Sequence, residues 1–128
     1  MAAENRIFIT FAIEDSWARD FLVGQARNED SPFEFVDMSV KEPWDTDWKT
    51  RCRAKMRRCD GVIALLSRKT MRAEGALWEM KCANEEGIPM IGVHIHSDDK
   101  GPIPAALIGK RVIEWNWPGI AAFIDSLP

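Results

Sequence analysis

Asp60-Gly61-Val62-Ile63-Ala64-Leu65-Leu66-Ser67 decides the fold: a continuous apolar run that begins after a turn signal and ends at a polar residue. A strand with one wet face alternates apolar and polar residues, whereas a central parallel strand is covered on both faces and shows no alternation. Related signals flank it. Arg6-Ile-Phe-Ile-Thr-Phe11 and Phe33-Glu-Phe-Val-Asp-Met38 come before, and Ile88-Pro-Met-Ile-Gly-Val-His-Ile95 and Val112-Ile-Glu-Trp115 come after. Short, β-branched and aromatic, they read as strands, with Pro89 tolerable only at a strand's beginning.

Between these runs the periodicity turns helical. Glu14, Asp15 and Ser16 supply acidic and capping groups for a helix to about Arg27, with Trp17, Ala18, Phe21 and Leu22 on one side. Asn28 to Pro32 is a polar turn, and Ser39 to Asp47 is a loop ending in Asp-Thr-Asp, a capping sequence for a helix beginning near Trp48. In that helix Trp48, Cys52, Met56 and Cys59 share an arc of roughly 80°, and Lys49, Arg51, Arg53, Lys55, Arg57 and Arg58 take the remaining circumference. Thr70 can cap a third helix through Glu86, with Ala73, Ala76, Leu77, Met80 and Ala83 as its core stripe and Gly87 as its terminator. Pro118 opens a terminal helix to about Leu127.

Strands alternating with helices at this spacing predict a three-layer αβα sandwich around a five-stranded parallel sheet, of flavodoxin-like size. With 128 residues the chain has the length of a single domain, taken as 1–128, and 46% hydrophobic against 29% charged residues excludes disorder and low complexity. Seventeen Lys+Arg against twenty Asp+Glu leave a net charge of −3, so no general attraction to nucleic acid or an anionic membrane is expected. Runs such as Val62 to Leu66 fall far short of the ~20 residues that span a bilayer, and Met1 to Arg6 has no signal-peptide apolar core, so the expected location is cytoplasmic. Three cysteines without a CxxC pair fit reduced thiols.

Ligands of such sheets bind outside the carboxyl ends of the strands where strand order reverses, so functional residues should follow Phe11, Met38 and Ser67. Ser67 stands where a phosphate-accepting receiver domain needs an aspartate, and Phe11-Ala12-Ile13-Glu14 lacks the character of a flavin phosphate loop. No Walker or GxGxxG pattern occurs.

The ordered set Phe8-Ile-Thr-Phe11, Phe33-Glu-Phe-Val-Asp37-Met-Ser39 with Lys41-Glu-Pro43, Cys59-Asp-Gly-Val-Ile-Ala-Leu-Leu-Ser67, and Leu77-Trp78-Glu79 leading to Glu86-Gly-Ile-Pro-Met-Ile-Gly-Val93 resembles the TIR (Toll/interleukin receptor) superfamily. Within it, the resemblance is to the small bacterial TIR-like branch of the Thoeris (ThsB-like) anti-phage proteins, over about Ile7 to Leu107. It implies cleavage of NAD⁺ as substrate, with no cofactor, at the nicotinamide glycosidic bond. A cyclic or conjugated ADP-ribose product would then signal to a separate effector. The essential carboxylate of the family, often in a WxxxE pattern, corresponds to Glu79, while Gly75 occupies the pattern's Trp position. The resemblance also places dinucleotide contacts at Phe11 and Ala12.

Glu79 lies at the edge of its helix's apolar stripe, about 40° from Ala83, neither inside nor fully out. A carboxylate there suits the chemistry, because loss of nicotinamide develops positive charge on the ribose. Asp37 and Ser39 end the second strand near the same crevice and can hydrogen-bond ribose or amide groups. Trp44, beside Pro43, has no core partner in the pattern and is a candidate for ring stacking, whereas Trp48 joins the core. His94 and His96, two apart on a strand, share a side without a third ligand, so no metal site is expected. The basic residues of the second helix read as a solvated surface, and Cys52 and Cys59 as inert packing. Trp78, roughly opposite the core stripe, should be exposed and available for self-association or for the substrate-side loop. The alternative is a non-catalytic TIR-like adaptor.

Overall fold

The structure, a computed structural model, describes residues 5–29, 33–38 and 41–128. Five parallel strands, β1 (Asn5–Thr10), β2 (Phe33–Val36), β3 (Gly61–Leu66), β4 (Met90–His94) and β5 (Val112–Glu114), pair in the order β2-β1-β3-β4-β5. The quoted apolar run is indeed central: all six residues of β3 are buried, with Ile63 in register with Ile9 of β1 and Ile91 of β4. Strand order reverses between β1 and β3, which opens a crevice above their carboxyl ends.

Among the described residues, four α-helices cover the sheet: α1 (Ser16–Asn28), α2 (Thr46–Arg57), α3 (Glu74–Glu85) and α4 (Trp117–Asp125). Strand alternation divides the core in two. Ile7, Ile9, Ile63, Leu65 and Ile91 pack against Ala18 and Leu22 of α1 and Ile120 and Ile124 of α4. Phe8, Val62, Ala64, Leu66 and Met90 pack against Trp48, Cys52 and Met56 of α2 and Met80 and Ala83 of α3. Each such large side chain taken out of water contributes about 1.5–3 kcal/mol before chain entropy is charged against it.

The helix ends follow from local chemistry. Asp45 caps α2 by accepting the Asp47 N–H at 2.9 Å, and Asn116 caps α4 by accepting the Gly119 N–H at 2.6 Å. Gly87, at φ 68°, takes the left-handed turn that stops α3. The helix predicted from Thr70 is instead two pieces. Thr70–Arg72 is a 3-10 turn, because the Thr70 hydroxyl turns back to accept the Ser67 N–H at 2.9 Å, and α3 proper starts only at Glu74.

Three further expectations are corrected. On α1 the apolar side splits: Ala18 and Leu22 are buried, but Trp17 and Phe21, about 100° round the helix from them, stay half-exposed against His96 and Trp115. Trp78 is not a free aromatic, because α2 packs alongside α3 and sets Trp48 edge-on to it at 5.5 Å, with the Arg53 guanidinium 5.6 Å from its ring. His94 and His96 do not share a strand face, since β4 ends at His94 and His96 lies beyond it against Trp17. Among the described residues no helix is long and apolar enough to cross a membrane.

Candidate active site

Thr10 ends β1 with its side chain toward α3, since it shares the face of Phe8, and α3 crosses there so that Glu79 lies directly over it. The Thr10 hydroxyl donates to Glu79 Oε1 at 2.7 Å, with the Ala76 carbonyl also in reach at 3.3 Å. Glu79 is 0% exposed. The edge-of-stripe reading therefore undershot its burial, for a reason no local pattern contains. Lys41 enters from the segment after β2, its side chain only 7% exposed, and its ammonium donates to both carboxylate oxygens at 2.8 and 2.9 Å. Cys52 Sγ of α2 lies 3.9 Å from Oε2.

An ion taken this far from water is tolerated only with a matching charge and further hydrogen bonds, and Lys41 and Thr10 supply both. Burial pushes the Glu79 carboxyl above the usual carboxylate range, the neighbouring Asp37 charge adds to that, and Lys41 and Thr10 pull it back; the net direction is upward. Burial raises the Cys52 thiol strongly, with Glu79 adding to it, and raises Cys59 to about 11, so both thiols stay protonated packing groups.

A cavity of about 250 Å³ opens at the carboxyl end of β1, and Lys41 forms part of its wall together with Phe11, Trp44, Arg72 and Gly75. Glu14 and Glu74 stand on the same wall. Lys41 thus separates Glu79 from the cavity, with its ammonium 4.4 Å from the centre of the Phe11 ring. Gly75 makes this possible: a Cβ at that position would stand 2.6 Å from Lys41 Cβ. Pockets that enclose drug-sized ligands run from roughly 300 to 1,000 Å³, so this cavity as it stands is smaller than they are.

Of the residues selected from sequence, Phe11 and Trp44 meet at this cavity and Glu79 lies behind it. Trp44 is 74% exposed, a free ring at the rim. Ala12 is buried beside Phe11, where its carbonyl accepts the Asp15 N–H at 2.8 Å in the turn before α1. Asp37 is not brought to the cavity; it pairs with Arg19 in a separate cleft that Val23 and Phe35 also line. Ser39 lies outside the described residues.

Sequence reasoning missed the parts played by Lys41, Thr10 and Asp15. Asp15 does not cap α1 through its side chain; it is buried and accepts the Ser67 hydroxyl at 2.5 Å, tying the turn after β1 to the residue that follows β3. Among the described residues no cluster of three His, Cys, Asp or Glu side chains is arranged to hold a metal ion.

Residues 8–100 match the family described as Thoeris protein ThsB, TIR-like domain. The chain belongs to the ThsB TIR-like family. The matched segment begins in β1, includes the whole Thr10–Lys41–Glu79 arrangement and ends before β5. No curated protein sequence matches the chain. Solved structures with the same fold include a prokaryotic SEFIR domain, 14% identical with a TM-score of 0.60 over 98% of this chain and 95% of that one. The SEFIR domain of interleukin-17 receptor B is 13% identical at a TM-score of 0.56 over 98% and 96%. A diflavin flavoprotein from Nostoc sp. is 16% identical at 0.54 over 97% and 88%. At these identities they establish the flavodoxin-like and TIR-like architecture and say nothing of chemistry.

Proposed function

We propose that this ThsB-like TIR domain cleaves NAD⁺ at the nicotinamide glycosidic bond and makes an ADP-ribose-derived signal, of cyclic form, for a separate effector in anti-phage defence. The observation that carries the reading is Glu79, a buried carboxylate held by Lys41 and Thr10 immediately behind a strand-end cavity with an aromatic rim. A buried charge of this kind is costly to keep, and such groups concentrate at functional sites.

In this mechanism the C1′–N bond breaks heterolytically, and its electron pair stays on the nicotinamide nitrogen, which leaves neutral and needs no proton. The positive charge passes to the ribose as an oxocarbenium ion, which Glu79 steadies or whose hydroxyls it holds. Capture by a nucleophile of the same ADP-ribose closes a ring and releases one proton; capture by water gives the linear product. Trp44 stacks on a heteroaromatic ring of the substrate at the rim, and Phe11 lines the apolar floor. Chromatography of NAD⁺ after incubation with the protein tests the reading: free nicotinamide and a product distinct from linear ADP-ribose support it, and intact NAD⁺ with every trigger and concentration opposes it.

A second reading, a non-catalytic adaptor, is favoured by a different feature. Ile13, Trp17 and Phe21 recur every four residues and all stand partly in water, 44%, 49% and 58% exposed, as one apolar ridge. Self-association or recruitment would use this ridge rather than the covered Trp78. Loss of assembly in a Trp17→Ser, Phe21→Ser variant whose NAD⁺ chemistry is nil from the start would establish it.

A further inference from the structure

We infer that Lys41 is a latch: seated on Gly75, it closes the resting cavity over Glu79, and its ammonium must swing out before the carboxylate can meet a substrate. This inference rests on the reading of Glu79 given above and adds how that site is kept shut.

The geometry points this way from both sides of the lysine. Inward, its ammonium takes both oxygens of Glu79, whose remaining neighbours are the Thr10 hydroxyl and the Cys52 thiol, so no face of the carboxylate is free. Outward, Lys41 is cavity wall. A substrate in the cavity therefore faces the lysine and not the acid. The pair is also displaceable. Glu14 and Glu74 border the same cavity and can receive the ammonium once it swings out, so its charge is not stranded.

Gly75 is the seat. A Cβ there would stand 2.6 Å from Lys41 Cβ, 3.2 Å from Cγ and 3.3 Å from Cδ. The tightest conflict is with the root of the lysine side chain, so a change of rotamer cannot relieve it and the main chain at residue 41 has to shift. Glycine in a helix is unfavourable compared with alanine, and what it supplies here is room for the latch. Gly75→Ala removes that room without altering a single charge.

Two chemical probes read the latch directly. Acetylation followed by peptide mass spectrometry should label Lys41 of the wild-type protein about tenfold or more slowly than the exposed Lys81 and Lys110, and Gly75→Ala should bring it to within about threefold of them. Carbodiimide coupling to an amine should leave Glu79 unmodified in the wild type and modify it in Gly75→Ala, with Lys41→Ala as the independent variant that removes the latch outright. Lys41 labelled as fast as Lys81 in the wild type overturns the inference. So does a Glu79 that stays protected in both variants while each melts cooperatively. The reading of the chemistry fails separately: Glu79 exposed in the variants, with no nicotinamide released by wild type or variant, leaves the latch standing and removes the NAD⁺-cleaving role.

Discussion

Exchanging Lys41 for methionine should destabilise the protein far more than exchanging Glu79 for glutamine, although both break the same ion pair. The asymmetry comes from escape. In Lys41→Met the apolar side chain fills the place of the lysine, so Glu79, fully buried in the native protein, keeps the Thr10 hydroxyl and a thiol as its remaining polar neighbours. Stranding one member of a buried pair costs about 3–5 kcal/mol. At about 4 °C of melting temperature per kcal/mol for a domain of this size, the loss is roughly 12–20 °C. In Glu79→Gln the amide oxygen still accepts from Thr10 and the lysine, already on the cavity wall, swings into solvent, so about 1–2 kcal/mol or roughly 4–8 °C is lost.

The pH dependence sharpens this. The folded pKa of Glu79 is raised above the ordinary 4.5, so its contribution to stability is fully present below that value and lost as pH rises through the folded one. Without Lys41 the strongest effect holding that pKa down is gone, which concentrates the penalty at neutral pH and relieves it in acid. Thermal unfolding followed by circular dichroism at pH 7 and near pH 4.5 should show the Lys41→Met deficit shrinking to less than about half. Equal deficits at both pH values, or a larger loss in Glu79→Gln, would refute the reasoning.

Other outcomes follow from the same contacts. Trp44→Ala should leave the melting temperature within about 2 °C, since the ring touches water on most of its surface, but should raise KM for NAD⁺ by about 2–10-fold in steady-state kinetics. Ser67→Ala strips the buried Asp15 carboxylate of its hydroxyl partner and should cost about 1–3 kcal/mol by urea unfolding. Trp48→Ala, which empties a core position and takes the edge-on partner from Trp78, should cost about 3–5 kcal/mol and expose Trp78 to quenchers.

What the sequence disclosed was what short-range pattern encodes. The unbroken run at β3, the seam of Trp48, Cys52 and Met56, and the left-handed stop at Gly87 each lie within one element, and each stands in the structure where the pattern puts it. Long-range geometry was not legible. The burial of Glu79 depends on Lys41, which is 38 positions away, and on α3 crossing β1 at Thr10. The one local trace of it was a glycine in a helix, one turn before the glutamate. Trp78 misled for a related reason, because a helix wheel assumes one covered face and α3 is covered both by the sheet and by α2. Asp15 had the look of a cap and instead bonds across to Ser67, 52 positions on.

The most direct test of the central claim is the rate of nicotinamide release from NAD⁺ by the wild-type protein and by Glu79→Gln under one set of activating conditions, with circular dichroism to show that both are folded. A fall of at least about a hundredfold is expected, the loss that follows when a group stabilising charge in the transition state is neutralised. Release by a folded Glu79→Gln protein at the wild-type rate would contradict it.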